Sequence, residues 1–209
     1  MTRVYIEVGD KRAFASAADW PGWCRSGKDE ASAVKALAAY APRYAAVAKL
    51  ARVPFPKNAT EFTVIERVKG NATTDFGAPG VPTKDEAQPL TTRETEVMVS
   101  LVEACWKFLD EVRAKAPQSL TKGPRGGGRD RDKMFEHVLG SEVSYAGQIG
   151  LHEKQPPIDD PAAIKGFRIS LAASLRDSFR EEKWPVPYAA RRIAWHVLDH
   201  AWEMEDRIP

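Results

Sequence analysis

Hydrophobic and polar positions change their period along the chain, and the changes divide it. Residues 4–8 and 12–16 are rich in β-branched, aromatic and small apolar residues in alternation, and Gly9-Asp10-Lys11 between them offers a turn, so a hairpin is predicted. Trp20-Pro21-Gly22-Trp23 is turn chemistry, and residues 23–26 follow as a third short strand. Asp29 then precedes an Ala-rich stretch to Leu50 with Val34, Leu37, Ala38, Ala41 and Tyr44 at helical spacing, which Pro42 should kink or interrupt. Residues 62–68 form a further strand candidate, completing an α+β unit of three strands, a helix and a strand over residues 1–70.

Residues 71–90 hold several Gly and Pro and little periodicity, which marks a linker in which Phe76 and Val81 could dock. From there to the end the period is helical. Residues 92–114 carry Val97, Leu101, Cys105, Phe108 and Val112 on one stripe, with Thr91 and Glu94 as a capping box. A second helix is predicted over 131–148, and a third after Asp160-Pro161 with Ile164, Phe167, Leu171, Leu175 and Phe179 on one face, ended by Trp184-Pro185-Val186-Pro187. The last covers 188–207, so residues 91–209 read as a four-helix bundle.

Composition narrows the function only a little. Apolar residues make up 43% and charged residues 29%, the balance of a globular protein. A net charge of +2 does not demand a nucleic-acid partner, and no apolar run approaches the roughly 20 residues that span a bilayer. Cys24 and Cys105 match no ligand spacing and read as reduced thiols of a cytoplasmic protein, the second packed in a core with Trp106. Trp195 and Trp202 lie seven residues apart on one side of the last helix, and they require a covering surface from residues 1–70 or from a second protomer of a homodimer.

The Trp20-Pro21-Gly22-Trp23-Cys24 turn, followed by Gly27, an acidic residue and an Ala-rich helix, resembles the strand connection of the HicB-like antitoxin fold. That resemblance implies a small HicB-like domain at the N-terminal end.

The chemistry concentrates in the last helix. His196 and His200 are four residues apart, so both imidazoles project from one face, which Ile193, Val197 and Met204 make core-facing. His137 lies among the apolar positions of the second bundle helix, Met134, Phe135, Val138, Leu139 and Tyr145. Three neutral imidazoles suit a borderline transition metal and leave coordination positions open, whereas the alternative is that each ring is hydrogen-bonded to ordinary core partners. His152 falls past the end of that helix, at the surface. Glu203 lies near His196 on the helical wheel and is a candidate orienter or base, or a solvated helix-end acid. Arg125-Gly126-Gly127-Gly128-Arg129 stands before a helix N-terminus, where Arg125 and Arg129 form a candidate anion site or a solvated linker. With Asp130 as N-cap, His137 would sit roughly 10 Å into the helix.

One His on the second bundle helix and His-x-x-x-His on the fourth resemble the DinB/YfiT-like four-helix metalloproteins over about residues 90–209. The resemblance implies His137, His196 and His200 as ligands of one divalent ion, zinc or nickel. It further implies a transferase or isomerase that uses a mycothiol- or bacillithiol-type thiol, or a hydrolase, acting on a small molecule. The rival reading is a HicB-like protein- or RNA-binding module fused to a metal-stabilised helical scaffold.

Overall fold

The computed structural model describes residues 1–123, 128–177 and 183–209. Its class is mixed α+β, as the two periods predict. Strands β1 (Thr2–Val8), β2 (Ala13–Ala17), β3 (Cys24–Gly27) and β4 (Phe62–Lys69) form one sheet in the order β3-β2-β1-β4. The first three are antiparallel neighbours, with Tyr5 opposite Ser16 and Ser16 opposite Cys24. β4 runs parallel to β1, which demands a crossover, and the Ala-rich stretch provides it.

That stretch folds as two helices, α1 (Glu30–Ala39) and α2 (Ala41–Leu50). Asp29 caps α1 by accepting from the Ser32 N–H at 2.7 Å. Pro42 cannot donate to the preceding turn, so it sits in the first turn of α2 and the chain breaks before it.

At β1 and β2 the sheet is buried on both faces by alternation, whereas β4 exposes every second residue. Val4, Ile6, Ala13, Ala15 and Ala17 join a core with Leu37 and Tyr44, whereas Phe14 and Cys24 pack with Trp195 of the last helix. Trp23 stacks on Tyr44 at 5.6 Å and donates its indole N–H to Leu37 O, and Tyr44 donates its hydroxyl to Pro21 O. Gly22 adopts φ +92°, and a Cβ there would come within 2.8 Å of a Leu198 methyl. Only glycine lets the Trp-Pro-Gly-Trp turn lie this close to the last helix.

The stretch after β4, a loop or linker by its sequence, contains ordered structure. Residues Ala72–Phe76 form a short helix, α3, with a capping box from Asn71 and Thr74. Its order is polar rather than apolar: Phe76 points to solvent at 89% exposure, contrary to the docking expected of it. Instead the buried Glu7 carboxylate accepts from the Gly80 and Val81 N–H groups and the Thr74 hydroxyl. From the other side Arg191 pairs with Glu86, and Arg192 donates to Pro79 O at 2.7 Å.

Four long helices follow: α4 (Thr92–Lys115), α5 (Arg131–Ala146), α6 (Pro161–Arg176) and α7 (Val186–Asp206). Thr91 and Glu94 form the expected capping box, and Asp160 caps α6. A 3-10 turn, Gly147–Ile149, ends α5. α7 starts two residues earlier than predicted because Pro187 stands in its first turn, where its missing N–H costs nothing. α7 is buried almost all round between Tyr188 and Leu198, since it packs on α4, α5 and α6 and covers the sheet through Trp195. Trp202 meets Tyr40 edge-on at 5.0 Å, so residues of the N-terminal unit cover both tryptophans. One apolar cluster runs unbroken from Val4 and Leu37 through Val99 and Leu109 to Leu139 and Val197.

Candidate metal centre

α5 and α7 run antiparallel along a polar seam. α5 presents His137, Ser141 and Tyr145 at four-residue spacing, and α7 presents Arg192, His196 and His200 likewise. The pairings run in opposite directions: His137 meets His196 and His200, whereas Tyr145 meets Arg192. The three imidazoles predicted as ligands therefore converge. Their ring centroids are 4.6–5.0 Å apart, and one ligating nitrogen from each lies within 4.8 Å of the other two.

The spacing of one pair suits two ligands of an ion. Two nitrogens about 2.0–2.1 Å from one metal are about 2.9–3.4 Å apart for angles between octahedral and tetrahedral. The Nε2 atoms of His137 and His196 are 3.2 Å apart. A direct hydrogen bond between the two rings also has that length. The other ring nitrogen of His196, Nδ1, is buried without a partner among the described residues.

The surroundings favour neutral rings, which are the metal-binding form. Burial, then the neighbouring His200 and His137 rings, lowers the pKa of His196 to about 2. Burial lowers that of His137 too, with His200 and Arg129 acting in the same direction. His200 is oriented from behind, because its Nδ1 lies 2.9 Å from Glu203 Oε2, leaving Nε2 for the cluster. The hydrogen bond to His200 is the main cause that lowers the Glu203 carboxyl below its usual range. Arg207 in turn donates to Glu203 Oε1 at 3.0 Å and to the carbonyls of Thr121 and Arg129. Glu203 thus stands behind His200 and is tied in place.

The other sequence candidates separate. Arg125 lies outside the described residues. Arg129, with Lys133, Glu136, Ser141 and Gln155, lines a cavity of about 430 Å³ that opens beside His137. Asp130 occupies the N-cap position of α5, but its carboxylate accepts from the Leu120 N–H rather than from the helix. Gly128 adopts φ +121°, and a Cβ there would collide with the Arg207 guanidinium at 2.7 Å, so close packing on Arg207 requires that glycine. His152 is exposed and apart from the cluster.

Tyr145 reads in the sequence only as an apolar position of its helix, and Arg192 and Arg207 were not singled out there. The first two continue the four-residue spacing of the histidines, and that was the available signal. Compared with protein-family models, curated proteins and solved structures, the chain matches none.

Proposed function

We propose that the protein is a metal-dependent enzyme in which His137, His196 and His200 hold one divalent transition metal, zinc or nickel. Its reaction on a small molecule is thiol transfer, isomerisation or hydrolysis, with a low-molecular-weight thiol as co-substrate in the first two cases. The observation that carries this reading is the convergence of three imidazoles from two helices, with the rear nitrogen of His200 fixed by Glu203. A DinB-like arrangement of α4–α7 and a HicB-like arrangement of the sheet unit are part of the proposal. The order of elements and the buried Trp-Pro-Gly-Trp-Cys connection support it.

A metal held by three imidazoles supplies Lewis acidity, lowering the pKa of a bound water towards about 7 or taking up a thiolate. The chain's own groups do the rest. Glu203 fixes the His200 ring, and Arg207 fixes Glu203. Arg129, Lys133 and Glu136 line the cavity that opens beside His137 and give access to the cluster from that side. Aromatic groups at Tyr145 and Trp195 flank His196 at 5.9 Å and restrict water there.

Untagged protein loaded with zinc or nickel is assayed against a panel of small thiols with electrophiles, and against activated esters. Metal-dependent turnover that disappears in His196→Ala supports the reading. Tight metal retention without turnover on any of them would leave the cluster a structural clamp.

A further inference from the structure

Arg192 is 4% exposed, yet every partner it has among the described residues is neutral. It donates to the Pro79 carbonyl at 2.7 Å and to the Tyr145 hydroxyl at 3.1 Å, and its Nε is buried with no partner. The guanidinium is boxed by aromatic rings, with Trp195 at 5.2 Å, Tyr145 at 5.1 Å and Trp184 at 6.0 Å. No carboxylate lies within ion-pair distance of it among the described residues. Two other buried arginines show the usual arrangement: Arg191 is paired with Glu86, and Arg168 with Glu142 and Asp110. A buried cation without an anion is costly, since cation–π contacts and neutral acceptors offset only part of its lost hydration.

The position of this unpaired charge matters. Arg192 is one turn from His196 on α7, about 6 Å along the axis, on the face that meets α5. Tyr145 accepts the Arg192 hydrogen bond, so its own O–H is left to donate elsewhere, and it has no acceptor among the described residues. The Tyr145 ring lies edge-on to His196 at 5.9 Å. Tyr145 and Trp184 are only partly buried, so this end of the seam borders solvent.

We infer that Arg192 and Tyr145 form a carboxylate subsite one helical turn from the histidine cluster, and that the substrate is a small organic acid whose carboxylate docks there while a second oxygen or sulfur group reaches the cluster. The inference rests on the metal reading and adds the substrate class to it. Arg192 supplies the charge and holds the phenol, and Tyr145 donates the directional hydrogen bond.

The test uses full-length protein loaded with Co(II), whose visible bands report ligands entering the metal's coordination, titrated with succinate and with acetate. Succinate can bridge the cluster and the subsite, whereas acetate reaches one of them at a time. Tyr145→Phe should weaken succinate about fivefold, and Arg192→Met about tenfold or more, with cobalt content and the acetate response unchanged. The double variant should be little weaker than Arg192→Met, because the arginine acts partly through the phenol. Unchanged succinate affinity in cobalt-loaded Tyr145→Phe and Arg192→Met overturns the subsite and leaves the metal centre standing. Loss of cobalt from Tyr145→Phe assigns that residue to supporting the cluster and overturns the subsite as well. If the wild-type protein takes up no cobalt, the metal reading fails and the subsite with it.

Discussion

Two polar clusters lie in the same bundle, each around a buried side chain, and they are built on opposite principles. In the first, Arg168 of α6 is 7% exposed and reaches both oxygens of Glu142 on α5, which is 1% exposed, and both oxygens of Asp110 on α4. Burial raises the Glu142 carboxyl and Arg168 pulls it back, so that positive and negative charge answer one another. In the second, His137, His196 and His200 present like to like: three Lewis bases with no acid among them and one buried nitrogen unpartnered. Burial alone therefore says little about function. A cluster whose charges answer one another holds helices together, and three like rings this close could hold a metal ion.

The largest effect should come from breaking the complete cluster. Glu142→Ala leaves Arg168 buried beside only the half-exposed Asp110, and should cost about 3–5 kcal/mol of stability. Denaturant unfolding measures it, and metal uptake at low temperature should be unaffected. An unfolding midpoint close to wild type would mean that this charge pair holds nothing.

A smaller effect is expected behind the second cluster. Glu203→Gln keeps the shape but weakens the hold on the His200 Nδ1–H, so metal affinity should fall about 10- to 100-fold. Competition with a chelator of known affinity reads this directly. Equal affinity would make Glu203 a surface acid that happens to touch His200.

The smallest effect is a pH dependence of the metal-free protein. His196 has its folded pKa lowered to about 2, whereas in the unfolded chain it takes a proton near pH 6.5. The unfolded state therefore binds more protons as pH falls below about 6.5, and the stability present above that pH is progressively lost. Between pH 7 and 5.5 the loss from His196 alone should be about 1 kcal/mol. His196→Gln should flatten the profile by that amount in urea titrations, and an unchanged slope would show that the ring is protonated freely in the folded state.

Much of this arrangement was legible in the sequence, for local reasons. Period and turn chemistry marked the hairpin, the third strand, the Pro42 break, the capping box at Thr91 and the four long helices. The histidine triad was legible because four-residue spacing fixes two rings on one face, and His137 stood alone among core positions of another helix. What escaped depends on pairings distant in the chain. Arg168 meets Glu142 across 26 residues and Arg192 meets Tyr145 across 47, and neither pair has a local signature. Phe76 was misjudged because hydrophobicity suggested docking, whereas the segment is held by backbone N–H groups on Glu7 and by arginines of α7. The helix start at Val186 was missed because proline was read as a stop, although it is equally at home in a first turn.

The most direct test of the central claim is elemental analysis of untagged protein as purified, for the wild type and for single His→Ala changes at positions 137, 152, 196 and 200. About one divalent transition metal per chain is expected in the wild type and in His152→Ala, with a sharp loss in the other three and a chelator-sensitive melting temperature only where metal is retained. Wild-type protein that binds no added zinc, nickel or cobalt, and melts at the same temperature with or without chelator, would contradict the account.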